Sequence, residues 1–248
     1  MITIGADALS TLLNKVTPHC PGDDVEERDV VVLDYTPNWL HAAAGGVRTV
    51  AIARATVDGA SGTHWTAPVS SSDITVLSAW LATSSRVHVG VELTVLGPLM
   101  HFSEGNAKLT VPFASYALDL PWRAMLRAGA HRSGILLRDR AVVVSADSDF
   151  VVFQVTAPRP VGSHGDVLED WAESARTQTF AHQDETYEVG TPYVDDRGML
   201  WRIPVRPAPY EEPKAVRANA SGAVFPLSAV IQAGGHLRRA PRIWPQLR

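Results

Sequence analysis

The sequence has a single cysteine, Cys20, in 248 residues. That excludes an internal disulfide and a thiolate metal cluster, and it fits a reducing compartment. Cys20 reads as a small residue following a helix, since no histidine is tied to it by any motif. Lysine is also scarce. Lys15, Lys108 and Lys214 are three of the 22 basic residues, and arginine, which makes forked contacts to phosphates and carboxylates, supplies the rest. No apolar run approaches the length of a membrane span. The opening MITIGADALSTLLNKV lacks the basic start and unbroken apolar run of a signal peptide, so a cytoplasmic location is expected.

Catalytic signatures are missing too. No GxGxxG, GxxxxGK[ST] or GxSxG pattern occurs, so neither a phosphate-cradling loop nor a serine elbow is supported. His182-Gln183-Asp184-Glu185 matches no standard metal-ligand spacing, and His101 and His164 are distant in sequence. Asp147 and Asp149 fall in an expected turn, where Asp serves local backbone bonding. The expectation is a protein without metal, cofactor or enzymatic chemistry.

What is present suits a packed chain. Hydrophobic residues make up 46% and charged residues 19%, enough apolar surface to fill a core. The net charge is −4, so a nucleic-acid role requires a local basic face. Leu9, Leu12, Leu13 and Val16 follow helical spacing behind Asp7, placed as the N-cap. A meander follows: residues 30–33, a turn through 35–38, 39–44, a Gly45-Gly46 turn, and 47–57. In its last strand Val47, Thr49, Ala51, Ala53, Ala55 and Val57 share one face and Arg48, Val50, Ile52, Arg54 and Thr56 the other, and one face of the meander is expected to be half-exposed. Ser71, Ser72 or Asp73 caps a second helix over 74–83, and strands are expected at 87–96, 99–102 and 107–113.

The pattern restarts at LPWRAMLRAGAHRSGILLRDRAVVVSADSDFVVFQVTA, a short basic helix running into strands. Pro121 suits its first turn. Arg123, Arg127 and His131 fall at i, i+4 and i+8 and form one ridge, with Arg132 beside it. Residues 166–176 predict a helix made acidic by Asp166, Glu169, Asp170 and Glu173. Strands are expected at 187–189 and 199–205, and a helix at 227–233. Lys15, Arg86, Arg238 and Arg239 are basic groups at helix ends, where the macrodipole favours them.

The opening helix ADALSTLLNKV, the strand VRTVAIARATV and the unit WTAPVSSSDITVLSAWLATSSRVHVGVELTVLGPLMHFSEGNAKLTVPF together resemble one domain of a DNA sliding clamp, the bacterial β-clamp and its two-domain relatives. PWRAMLRAGAHR and GILLRDRAVVVSADSDFVVFQV look like a second copy of the same half-domain. The resemblance covers residues 1–157, and order and spacing carry it. It implies two α+β domains, 1–117 and 118–248, with antiparallel sheets outside and helices on the inner face. It implies a homo-oligomeric ring, a trimer at this length, that encircles duplex DNA without sequence preference and tethers a DNA polymerase or another replication protein. The DNA-contact residues would be Lys15, Arg86, Arg123, Arg127, His131, Arg132, Arg238 and Arg239. A partner-peptide pocket near the domain linker would use Phe113, Tyr116 and Leu118. The sequence departs from the family twice: the acidic helix is expected to be an external insertion, and few residues follow 227–233 to form closing strands. A non-ring interaction protein with clamp-like domains is the alternative, and a small hydrolase ranks last.

Overall fold

The computed structural model describes residues 1–20, 29–45, 49–59, 63–114, 122–130, 141–155, 165–176, 178–217 and 223–240. The chain opens with β1 (Ile2–Gly5), α1 (Ala6–Val16), β2 (Val30–Thr36), β3 (Trp39–Gly45) and β4 (Thr49–Thr56). The same order follows at once: β5 (Trp65–Ser70), α2 (Ser71–Leu81), β6 (Arg86–Thr94), β7 (Gly97–Glu104) and β8 (Ala107–Pro112). Next come α3 (Trp122–Ala130), β9 (Ala141–Ala146), β10 (Phe150–Val155) and α4 (Gly165–Ser174). The remainder holds β11 (Thr179–His182), β12 (Glu185–Glu188), β13 (Pro192–Val194), β14 (Leu200–Arg202), β15 (Lys214–Arg217), β16 (Val224–Pro226), α5 (Leu227–Gly234) and β17 (Arg238–Arg239). The fold is α+β, and every strand pairing among the described residues is antiparallel.

The first two units interlock. One sheet has the order β1-β6-β7-β8, and another begins β5-β2-β3-β4. Exchanging the two βαβββ units converts one order into the other, because each unit lends its first strand to its sibling's sheet. The second sheet then continues through β4 into β10 and β9, making six strands.

The α1 stripe is wholly buried. Leu9, Leu12, Leu13 and Val16 join Ile74, Leu77 and Leu81 of α2 and the facing residues of both sheets in one core. Burial of each such side chain contributes about 1.5–3 kcal/mol. The caps differ from the sequence expectation. Gly5, not Asp7, is the α1 N-cap, and Asp7 lies in the first turn, where the helix dipole favours it. Ser70 caps α2, its Oγ accepting from the Asp73 N–H at 3.1 Å.

The opposite face of the six-stranded sheet is covered as well. Val50 and Ile52 of β4, Ala43 of β3 and Val151 and Phe153 of β10 pack against Trp122, Met125 and Leu126 of α3 and Leu168 and Trp171 of α4. Val50, Ile52 and Arg54 are therefore buried, as Ala51 and Ala53 are on the other face of β4, against the expectation of one half-exposed face; Thr56 at the end of the strand is exposed. The acidic helix is not an external insertion. Glu169 and Glu173 face outward and Asp170 reaches Arg54, while Leu168 and Trp171 close the core.

A third core gathers Tyr187, Tyr193, Ile203, Leu227 and Val230 around the sheet β16-β15-β14-β13-β17. This module attaches by extending the six-stranded sheet. Val205 bridges Trp65, Thr66 N–H donates to Pro204 O at 2.8 Å, and Arg206 N–H donates to His64 O at 2.9 Å.

Candidate functional site

A polar row crosses the middle of the six-stranded sheet on the α3–α4 side. The register pairs Thr66 with Asp34, Asp34 with His41, and His41 with Arg54, one residue from each of β5, β2, β3 and β4. Antiparallel pairing puts opposed residues on the same face, so the alternation that sends Val31, Leu33 and Tyr35 into the first core sends Asp34 toward α3.

Asp34 is the hub. Its Oδ2 accepts from the Thr66 hydroxyl and from Arg123 Nη2 of α3, and His64 Nε2 lies 3.3 Å from its Oδ1. Asp34 and His64 have 0% exposure, and Arg123 stacks on Trp122 with its guanidinium carbon 4.3 Å from the ring centre. Burial opposes the Asp34 charge, but the Arg123 and His64 charges and hydrogen bonds outweigh it and hold the carboxyl well below its usual range.

The other end of the row belongs to α4. Arg54 lies between Trp39 and Trp171, 4.4 and 4.3 Å from the ring centres. It pairs with Asp170, and its Nη1 donates to Ser174 Oγ at 2.9 Å. Thr36 Oγ1 donates to Ser174 O at 2.8 Å, so the sheet satisfies carbonyls that end the helix. His41 lies between Trp122 and Trp171, and burial, reinforced by Arg123, Arg54 and His64 against the pull of Asp34, pushes its imidazole down to about 3. His64, Asp34 and Thr66 have the composition of a proton relay, and all three are buried. Their arrangement fastens α3 and α4 to the sheet. Among the described residues, no group of three His, Cys, Asp or Glu side chains could hold a metal ion.

The sequence-derived basic residues are dispersed. Arg123 turns into the hub. Arg127, one turn on, is exposed. Lys15 pairs with Asp149 in the β9–β10 turn, Arg86 with Asp58, Arg238 with Asp196 and Arg239 with Glu188. His131 and Arg132 lie outside the described residues. Phe113 packs half-buried against the first core, its N–H donating to Pro98 O at 3.1 Å, and Tyr116 and Leu118 also lie outside the described residues. The exposed positions of α1 and α2 are Asp7, Ala8, Thr11 and Asn14, and Ser72, Thr75, Val76 and Ala79; none is basic.

No protein-family model matches the chain, and neither does any curated protein. Solved structures do match. Its structural neighbours are bacterial DNA sliding clamps. The chain is similar to the DNA polymerase III beta subunit of Thermotoga maritima, at 12% identity and TM-score 0.43, over 90% of this chain and 64% of that one. It is similar to the Bacillus subtilis sliding clamp, at 12% identity and TM-score 0.44, over 90% of this chain and 62% of that one. A Helicobacter pylori beta clamp bound to a DNA ligase peptide matches at 8% identity and TM-score 0.39, over 52% of this chain and 39% of that one. The chain thus spans between 39% and 64% of the length of these clamps. Among the described residues, no helix is long and apolar enough to cross a membrane.

Proposed function

We propose that this chain is a clamp-like processivity factor of the cytoplasm, without chemistry of its own, that assembles into a homo-oligomeric ring, a trimer by preference, around duplex DNA and tethers a polymerase. The exchange of first strands between the two βαβββ units carries the reading, because it turns the sequence resemblance over residues 1–112 into a definite topology. In this reading the domains are 1–117 and 118–248, and the β4–β10 pairing is their junction. A ring holds DNA by topology, so a few non-specific phosphate contacts suffice. Arg127, Lys15, Arg86, Arg238 and Arg239, with His131 and Arg132, would supply them. The exposed pairs at Arg86, Arg238 and Arg239 are each worth no more than about 1 kcal/mol, so phosphates can compete for them. Arg123 would act by holding α3, not by touching DNA. Phe113, Tyr116 and Leu118 would mark the partner-peptide pocket.

Light scattering at micromolar concentration tests ring assembly. The reading expects a closed multiple of 26.8 kDa, and a strict monomer contradicts it. The paired basic residues and the uncharged or acidic exposed faces of α1 and α2 favour a second reading, a non-ring protein that binds or inhibits a replication protein. A monomer that still binds a polymerase selects it.

A further inference from the structure

Glu92, His101 and Thr110 form a diagonal line across the sheet β1-β6-β7-β8, one each from β6, β7 and β8. The alternation that sends Met100, Phe102 and Val111 into the first core turns His101 and Thr110 to the opposite face. His101 Nε2 lies 2.8 Å from Glu92 Oε2, and its Nδ1 lies 3.0 Å from Thr110 Oγ1. An ionised carboxylate only accepts, so in the neutral imidazole Nε2 carries the proton. Nδ1 is then the acceptor, and the Thr110 hydroxyl donates to it.

Thr110 is exposed. Phe113 N–H donates to Pro98 O, which sets the alternation of the β7–β8 ladder: Met100 with Val111 and Phe102 with Leu109 are hydrogen-bonded pairs. His101 and Thr110 are therefore a non-hydrogen-bonded pair with close side chains. The Thr110 N–H points away from β7, past the outermost strand of the sheet among the described residues. A hydroxyl, a base oriented by a carboxylate and an outward amide donor thus meet at one sheet edge.

We propose that Thr110 is a modification site that accepts an acyl group from activated esters, with His101 as general base and Glu92 as the residue that positions it. Thr110 Oγ bonds to the acyl carbonyl carbon, and its proton passes to His101 Nδ1. The donor's C–O bond breaks, and the leaving alkoxide or phenolate takes the electron pair. The product is a threonyl ester on the chain. One acyl group is taken per chain, so the proposal requires no turnover, and it does not depend on the clamp reading.

Thr3 is the internal comparison. Its Oγ1 lies 2.9 Å from His88 Nδ1, but among the described residues no carboxylate bonds to His88.

Incubation with p-nitrophenyl acetate, followed by peptide mass mapping, tests the proposal. Hydroxylamine releases acetyl esters and leaves lysine amides in place. An acetyl ester should form on Thr110 faster than on Thr3. His101→Gln should slow it about a hundredfold, the lower end of what a general base contributes. Thr110→Ser should keep it. In Glu92→Gln the side-chain amide can donate to Nε2 and impose the wrong tautomer, so the ester should again form slowly while acetylation of exposed Lys108 stays unchanged. Should His101→Gln fail to fold, Glu92→Gln carries the test. No ester on Thr110, equal esters on Thr3 and Thr110, or an unchanged rate in either variant overturns the proposal.

Discussion

Arg123 of α3 pairs with Asp34 of β2 beneath the six-stranded sheet, a guanidinium against a carboxylate with no solvent exposure. The pair joins two segments distant in sequence, and its two halves are unequal to lose. Arg123→Met leaves a buried charge whose remaining close partners are His64 and Thr66. It should destabilise the chain by about 3–5 kcal/mol. Asp34→Leu combined with Arg123→Met should recover most of that loss, because no charge is then left buried. Urea unfolding midpoints of the single and double variants check this.

His41 makes stability depend on pH. In the unfolded chain its imidazole takes a proton near 6.5, and in the fold only near 3. Between these values the unfolded state holds one more proton, so stability falls as the pH drops through this window. The slope is about 1.4 kcal/mol per pH unit. Asp34 adds a loss of the same sign only below its ordinary carboxylate value, where the unfolded side chain binds a proton that the folded one refuses. His41→Gln should flatten the stability profile between about pH 6 and pH 4, as read by denaturant titrations across that range.

Arg54→Lys is not a conservative change here. Lysine keeps the charge but loses the planar stack between Trp39 and Trp171 and the fork that reaches both Asp170 and Ser174. A loss of roughly 1–3 kcal/mol is expected. Trp171 fluorescence should report loosening of α4 before global unfolding.

Gly190 ties the third core to the same hub. Its φ is +75°, and a Cβ there would lie 2.6 Å from Thr66 Oγ1, which Asp34 holds in place. Gly190→Ala should cost roughly 1–3 kcal/mol through backbone strain alone, with the clash added. Its melting temperature should fall, whereas Gly198→Ala, which has a similar φ but open space, should lose only the strain.

Local patterns made much of the fold legible. The α1 stripe, the β2–β4 meander, the β6–β8 strands and the helical turns of α3 and α4 follow from apolar spacing and turn residues. No strand is expected at β5, where Pro68 interrupts the run, yet it pairs with β2 on one side and with residues 204–206 on the other. β11, β13, β15 and β16 are three or four residues long, too short for periodicity to register, and the last three adjoin or contain Pro192, Pro213 and Pro226. The polar row left no signal at all. Asp34, His41, His64 and Arg54 are each ordinary in their own segment, and only pairing across strands, with helices from far down the chain, brings them together. Arg123 misled for the same reason: helical spacing aligns it with Arg127, but only the fold shows that one turns inward and the other outward.

Retention on DNA circles tests the central claim most directly. Protein assembled on nicked circular duplex should survive a wash in high salt that strips ordinary phosphate contacts. It should be released when a single cut linearises the circle. Release from intact circles by salt, or equal retention on circular and linear DNA, would contradict a ring.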